Sequence, residues 1–102
     1  MTNYINLTST VVVLNDGRVF PPSGIVAFAE AVYSQIEGDF CTVSYAKPKG
    51  LLTPQDGIRY IVSHKFFTVV DRNDLVTPAN GHPKCVRNDE GEIISVPCFL
   101  EK

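Results

Sequence analysis

The sequence predicts a mainly β fold, either a β-barrel or a rolled antiparallel sheet with one or two short helices, in a single small α+β domain spanning residues 1–102. Three turn signals carry that expectation. Asn15-Asp16-Gly17, Gly38-Asp39 and Asn88-Asp89-Glu90-Gly91 each lie between runs rich in β-branched and aromatic residues. Apolar residues are spread evenly along the chain with no linker or internal repeat, and 102 residues is the length of one domain.

Taken in order, Tyr4–Thr8 and Thr10–Leu14 read as strands, and Arg18-Val19-Phe20 returns after the Asp-Gly turn. Pro21-Pro22-Ser23-Gly24 ends that hairpin, since proline lacks the ladder donor and glycine lets the chain reverse. From Ile25 to Glu37 two patterns compete. Ala27, Ala29, Glu30 and Ala31 suit a helix capped by Ser23, whereas the alternation of apolar positions favours a strand, the preferred reading. Phe40–Tyr45 is β-like and completes a second hairpin across Gly38-Asp39. Lys47–Gly50 and Thr53–Gly57 form a loop with two turns, and Ile58–Ser63 has the composition of a central strand. His64–Val70 either extends that strand or forms a short helix. Asp71–Pro78 reads as a polar segment, Pro78–Pro83 as loop, and Cys85-Val86-Arg87 with Glu92–Val96 as a third hairpin.

Nine Lys and Arg against eleven Asp and Glu leave a net charge of −2, and the cations are scattered. Long nucleic acid, which needs clustered cations, is not an expected partner. No apolar run approaches the roughly 20 residues of a membrane helix, and no signal peptide is expected. Cys41, Cys85 and Cys98 have no CxxC spacing and are expected to be free thiols buried as small hydrophobes.

Catalytic patterns are lacking. Ser63 and His64 are neighbours that would point to opposite faces of a strand, and His82 with Cys85 fixes no geometry. No metal motif or phosphate-binding glycine loop is present, so no metal, no cofactor and no enzyme activity is expected. Arg72 with Asp74 is the one polar pair that suits a ligand. Arginine presents a planar donor fork and aspartate accepts from base N–H groups, although a local ion pair explains the same residues. Most aromatics are assigned to the core, with Phe66 or Phe67 pointing outward.

Several motifs taken together resemble a family of small bacteriophage proteins: Asn6-Leu7-Thr8, Phe20-Pro21-Pro22-Ser23-Gly24, Tyr60-Ile61-Val62-Ser63 after Gly57, Arg72-Asn73-Asp74-Leu75-Val76-Thr77-Pro78, and the hairpin Val86–Ile94. The chain departs from that pattern at Ser9-Thr10, where a Pro-His pair is expected. The family is similar to anti-defence "sponges" that sequester cyclic nucleotide immune signals. That resemblance implies a homo-oligomer in the host cytoplasm that binds a guanine-containing cyclic dinucleotide such as cGAMP and leaves it intact. It places Asn6, Thr8, Ser23, Tyr60, Ser63, Arg72 and Asp74 at the ligand. The alternative is a phage protein-interaction module that inhibits a host protein or accompanies the virion.

Overall fold

The computed structural model describes residues 2–102. It places β1 (Asn3–Asn6), β2 (Val12–Val13), β3 (Val19–Phe20), β4 (Ala31–Tyr33), β5 (Val43–Tyr45), β6 (Ile58–Ile61), α1 (His64–Val69), β7 (Leu75–Pro78), β8 (Val86–Arg87), β9 (Ile93–Ser95) and β10 (Phe99–Glu101) along the chain. The fold is mainly β with a single short helix. Among the described residues the strands form four separate sheets and do not close into a barrel.

The central sheet runs β1-β6-β7-β10. Here the antiparallel expectation is corrected: β6 is parallel to both β1 and β7, and only β10 is antiparallel to its neighbour. The β6–α1–β7 crossover explains the parallel pair, because a parallel return needs a connection of about a dozen residues. Side chains packed above and below the sheet cover both faces of β6, which accounts for the unbroken apolar run Tyr60-Ile61-Val62. Tyr60, Val62 and Leu75 pack with Leu7, Ala27 and Phe66 on one face. Ile61 and Val76 pack with Val12 on the other, beside the mutually contacting rings of Tyr4, Phe20 and Phe99.

The three hairpins stand where the turn signals put them: β2–β3, β4–β5 and β8–β9 are each antiparallel. Gly17 supplies φ +94° at the first turn. The backbone N–H of Arg18, with its guanidinium, holds the Asp16 carboxyl below its ordinary value in the same turn. The long strand favoured over Ile25–Glu37 shrinks to β4, with Phe28 making one bridge to Lys49. Its outer neighbours are missing, so the alternation has no sheet to serve. His64–Val70 resolves as α1, because Ser63 turns out of the strand and its Oγ accepts the Phe66 N–H at 3.3 Å.

One further expectation, the burial of the cysteines, is corrected. Cys41 and Cys98 are exposed and Cys85 is half-buried, all three free. Of the aromatics, Phe28, Tyr33 and Phe40 are exposed, whereas Phe66 is buried and Phe67 partly covered under Lys102.

Gly50 holds the base of the β4–β5 hairpin at φ +74°, and a Cβ there would collide with the Val26 carbonyl. Gly50→Ala should therefore lower the urea midpoint by the equivalent of about 2 kcal/mol or more. Gly81 has open space and no positive φ, so Gly81→Ala in the same assay should be neutral or slightly stabilising.

Candidate functional site

Four of the seven residues assigned to a ligand have their polar atoms engaged inside the fold. Asn6 is buried at the end of β1. Its Nδ2 donates to the carbonyls of Thr10 and Phe20 at 2.9 Å each, and its Oδ1 accepts from the Thr8 N–H (2.9 Å) and hydroxyl (2.6 Å). Tyr60 is fully buried, and its hydroxyl donates to the Thr53 carbonyl at 2.8 Å. Arg72 aims its fork at Asp74, Nε to Oδ1 at 3.0 Å and Nη2 to Oδ2 at 2.5 Å, while Nη1 donates to the Leu52 carbonyl. The guanidinium also stands 5.9 Å from the Tyr60 ring centroid. This pair therefore locks the β6–β7 region to the 51–53 loop, using the donors that a phosphate or a guanine edge would need.

Ser23 sits on the surface, where its N–H donates to the Asn6 carbonyl and its Oγ accepts from the Ile25 N–H at 3.3 Å. Thr8 and Ser63 are different: both line one cleft of about 380 Å³. Its walls are Leu7, Val12, Ala27 and Val62, and its rim carries Ser9, Thr10, His64 and Asn80. The exposed Phe28 ring stands at its edge. A trough of about 340 Å³ continues from it, sharing Thr10, Val12, Pro78 and Asn80 and running on to Ile93–Val96. The cleft lies at the low end of small-molecule sites, roughly 300–1,000 Å³.

Thr77 lines this cleft and was missed by sequence reasoning. It is fully buried on β7, and its Oγ1 has no hydrogen-bond partner, the one such side-chain atom among the described residues. An unpaired buried hydroxyl costs about 1–3 kcal/mol, and because this one has no exposed surface of its own, the Thr77 side chain must turn before a group in the cleft can pair with it. The signal was present as a lone polar residue in Leu75-Val76-Thr77. It was unreadable without knowing that a strand passes there.

The cleft lining carries no Lys, Arg, Asp, Glu or Cys, and His64 is its one titratable side chain. The Ser63 hydroxyl faces the Phe66 N–H as a helix cap, and His82 Nδ1 accepts from the Lys84 N–H away from the cleft. Among the described residues no group of three His, Cys, Asp or Glu side chains is placed to hold a metal, and no helix is long and apolar enough to cross a membrane. The arrangement suits recognition of a neutral, hydrogen-bonding, partly aromatic group.

Comparison with known proteins yields no match among family models, curated proteins or solved structures.

The Arg72–Asp74 geometry sets a clear expectation for mutagenesis. Both side chains are about four-fifths covered, so Arg72→Ala should lower unfolding free energy by about 1–3 kcal/mol through the unpaired Asp74 and the orphaned Leu52 carbonyl. Arg72→Lys should recover little of it, because an ammonium cannot make the bidentate contact. Urea denaturation of the two variants checks both statements.

Proposed function

We propose that the protein captures a cyclic dinucleotide without turning it over, seating one nucleoside of the ligand in the cleft beneath Thr8, Ser63 and Thr77. The unpartnered Thr77 hydroxyl carries this reading. A buried polar atom kept without a partner in the free protein is favoured when a ligand supplies that partner. Around it, the neutral hydroxyls and the Asn80 amide match base and ribose edges, and the Phe28 ring offers a stacking surface worth roughly 1–3 kcal/mol per base. The motif resemblance to sequestering phage proteins adds the ligand class and a site of action in the host cytoplasm. Capture without turnover fits a lining in which the Ser63 hydroxyl is engaged as a helix cap and His64 has no carboxylate beside it to orient it as a base.

A second reading, a protein-interaction module, draws on the exposed apolar surface of the β4–β5 hairpin. The two separate in one experiment: thermal melts with guanine-containing cyclic dinucleotides, followed by heat denaturation and chromatography of the released ligand. The capture reading expects a raised melting temperature and intact ligand. Cleaved ligand would make the protein an enzyme, and a melting curve that no nucleotide moves would leave the interaction module.

Thr77→Val gives a sharper check because two effects have opposite sign. Replacing the orphan hydroxyl by an isosteric methyl should leave the free protein as stable or up to about 1 kcal/mol more stable. The same change should weaken ligand binding about tenfold. A variant that loses stability while binding unchanged ligand would show that Thr77 is structural.

A further inference from the structure

The protein exposes far more surface than its size requires. Its accessible area is 7010 Å², about 1,300 Å² above the roughly 5,700 Å² of a compact monomer of this mass. Its radius of gyration is 15.6 Å, against roughly 13 Å for a compact chain of this length. The excess is comparable to the roughly 800 Å² that each partner contributes to a stable interface.

The β4–β5 hairpin carries the three most exposed large hydrophobic side chains of the described residues. Every residue from Val32 to Ser44 is exposed, including Tyr33 at 66%, Ile36 at 77% and Phe40 at 79%. A two-stranded ribbon is marginal in water on its own, and this one holds its shape by cross-strand pairs such as Glu37 with Phe40. Its charge is ordered along its length. No Lys or Arg occurs between Arg18 and Lys47, so the tip carries only Glu37 and Asp39. The base carries Lys47 and Lys49 against a single carboxylate, the exposed Glu30 opposite Ala46, and they are joined by Lys65, whose Nζ lies 5.2 Å from the Tyr45 ring centroid. Tip and base are separated by roughly 23 Å at a strand's rise per residue.

We infer that this hairpin is a dimerisation arm whose partner is the arm of a second copy, laid antiparallel about a two-fold axis. A two-fold contact must be self-complementary. Antiparallel packing satisfies this, bringing each acidic tip over the other copy's basic base and covering Ile36, Phe40, Tyr33 and Val43 between the ribbons. A parallel arrangement would set Glu37 and Asp39 against their own copies. This inference stands independently of the ligand reading.

Sedimentation equilibrium of the full chain over a range of concentrations provides the test. The wild type should sediment as a dimer. Glu37→Lys with Asp39→Lys should weaken association at least about tenfold, and so should Lys47→Glu with Lys49→Glu. An equimolar mixture of those two variants should restore the dimer, since each tip then meets a base of opposite charge. Ile36→Ser with Phe40→Ser should give a monomer with an unchanged circular dichroism spectrum. A monomeric wild type overturns the inference, including one whose arm instead captures a different protein. So does a dimer indifferent to these substitutions, or a mixture that fails to re-associate.

Discussion

The buried amide of Asn6 is the contact on which the N-terminal half depends. At the point where β1 leaves the central sheet, it accepts the N–H and hydroxyl of Thr8 and donates to the carbonyls of Thr10 and Phe20. The Asn6 backbone carbonyl takes the Ser23 N–H. One side chain thereby ties the end of β1, the turn through Thr10 and the close of the first hairpin. Without it the half-buried Thr8 N–H and Phe20 carbonyl would each be short of a hydrogen bond, whereas the exposed Thr10 carbonyl also accepts from the Thr8 hydroxyl. An aspartate could not donate in place of Nδ2, and a leucine of similar size would leave the Thr8 N–H and the Phe20 carbonyl without this partner.

That anchoring also makes the cleft. Holding residues 8–10 against Asn6 keeps Thr8, Ser9 and Thr10 above the sheet, while β7 runs beneath with Thr77 inside. Of the apolar walls, Leu7, Ala27 and Val62 belong to the core cluster around Tyr60, and Val12 belongs to the cluster on the other face of the sheet. Recognition by such a surface relies on hydrogen bonds and shape rather than on charge. This is consistent with a chain whose cations are placed elsewhere: Arg72 and Arg59 in internal or cross-strand pairs, Lys47 and Lys49 near the arm.

The architecture divides a short chain between two tasks. A compact core around β6 and α1 holds the cleft, and an arm with exposed apolar side chains extends from it. Small domains have little core to give up, so residues placed in an arm reduce the apolar burial that stabilises the monomer. Covering the arm in an assembly returns that burial to the folded state.

What could be read from residue order was local. The three hairpins and the mainly β character follow from turn residues whose backbone preferences act over two to four positions, as at Asp16-Gly17 and Asn88–Gly91. For His64–Val70 residue order leaves strand and short helix open, and the fold selects the helix. Tertiary structure alone decided the parallel pairing of β1 with β6, strands about fifty residues apart, because no local signal encodes a partner that distant. It also decided that Leu75–Pro78 and Phe99–Glu101 are strands, and which way each polar side chain faces. Arg72, Asp74, Asn6 and Tyr60 have the chemistry of ligand contacts in sequence, yet in space their partners are other parts of this chain. Thr77 looks like one more strand residue, yet burial without a partner sets it apart. Residue type names the hydrogen bonds an atom is able to make, and only the packed chain determines which of them are already made.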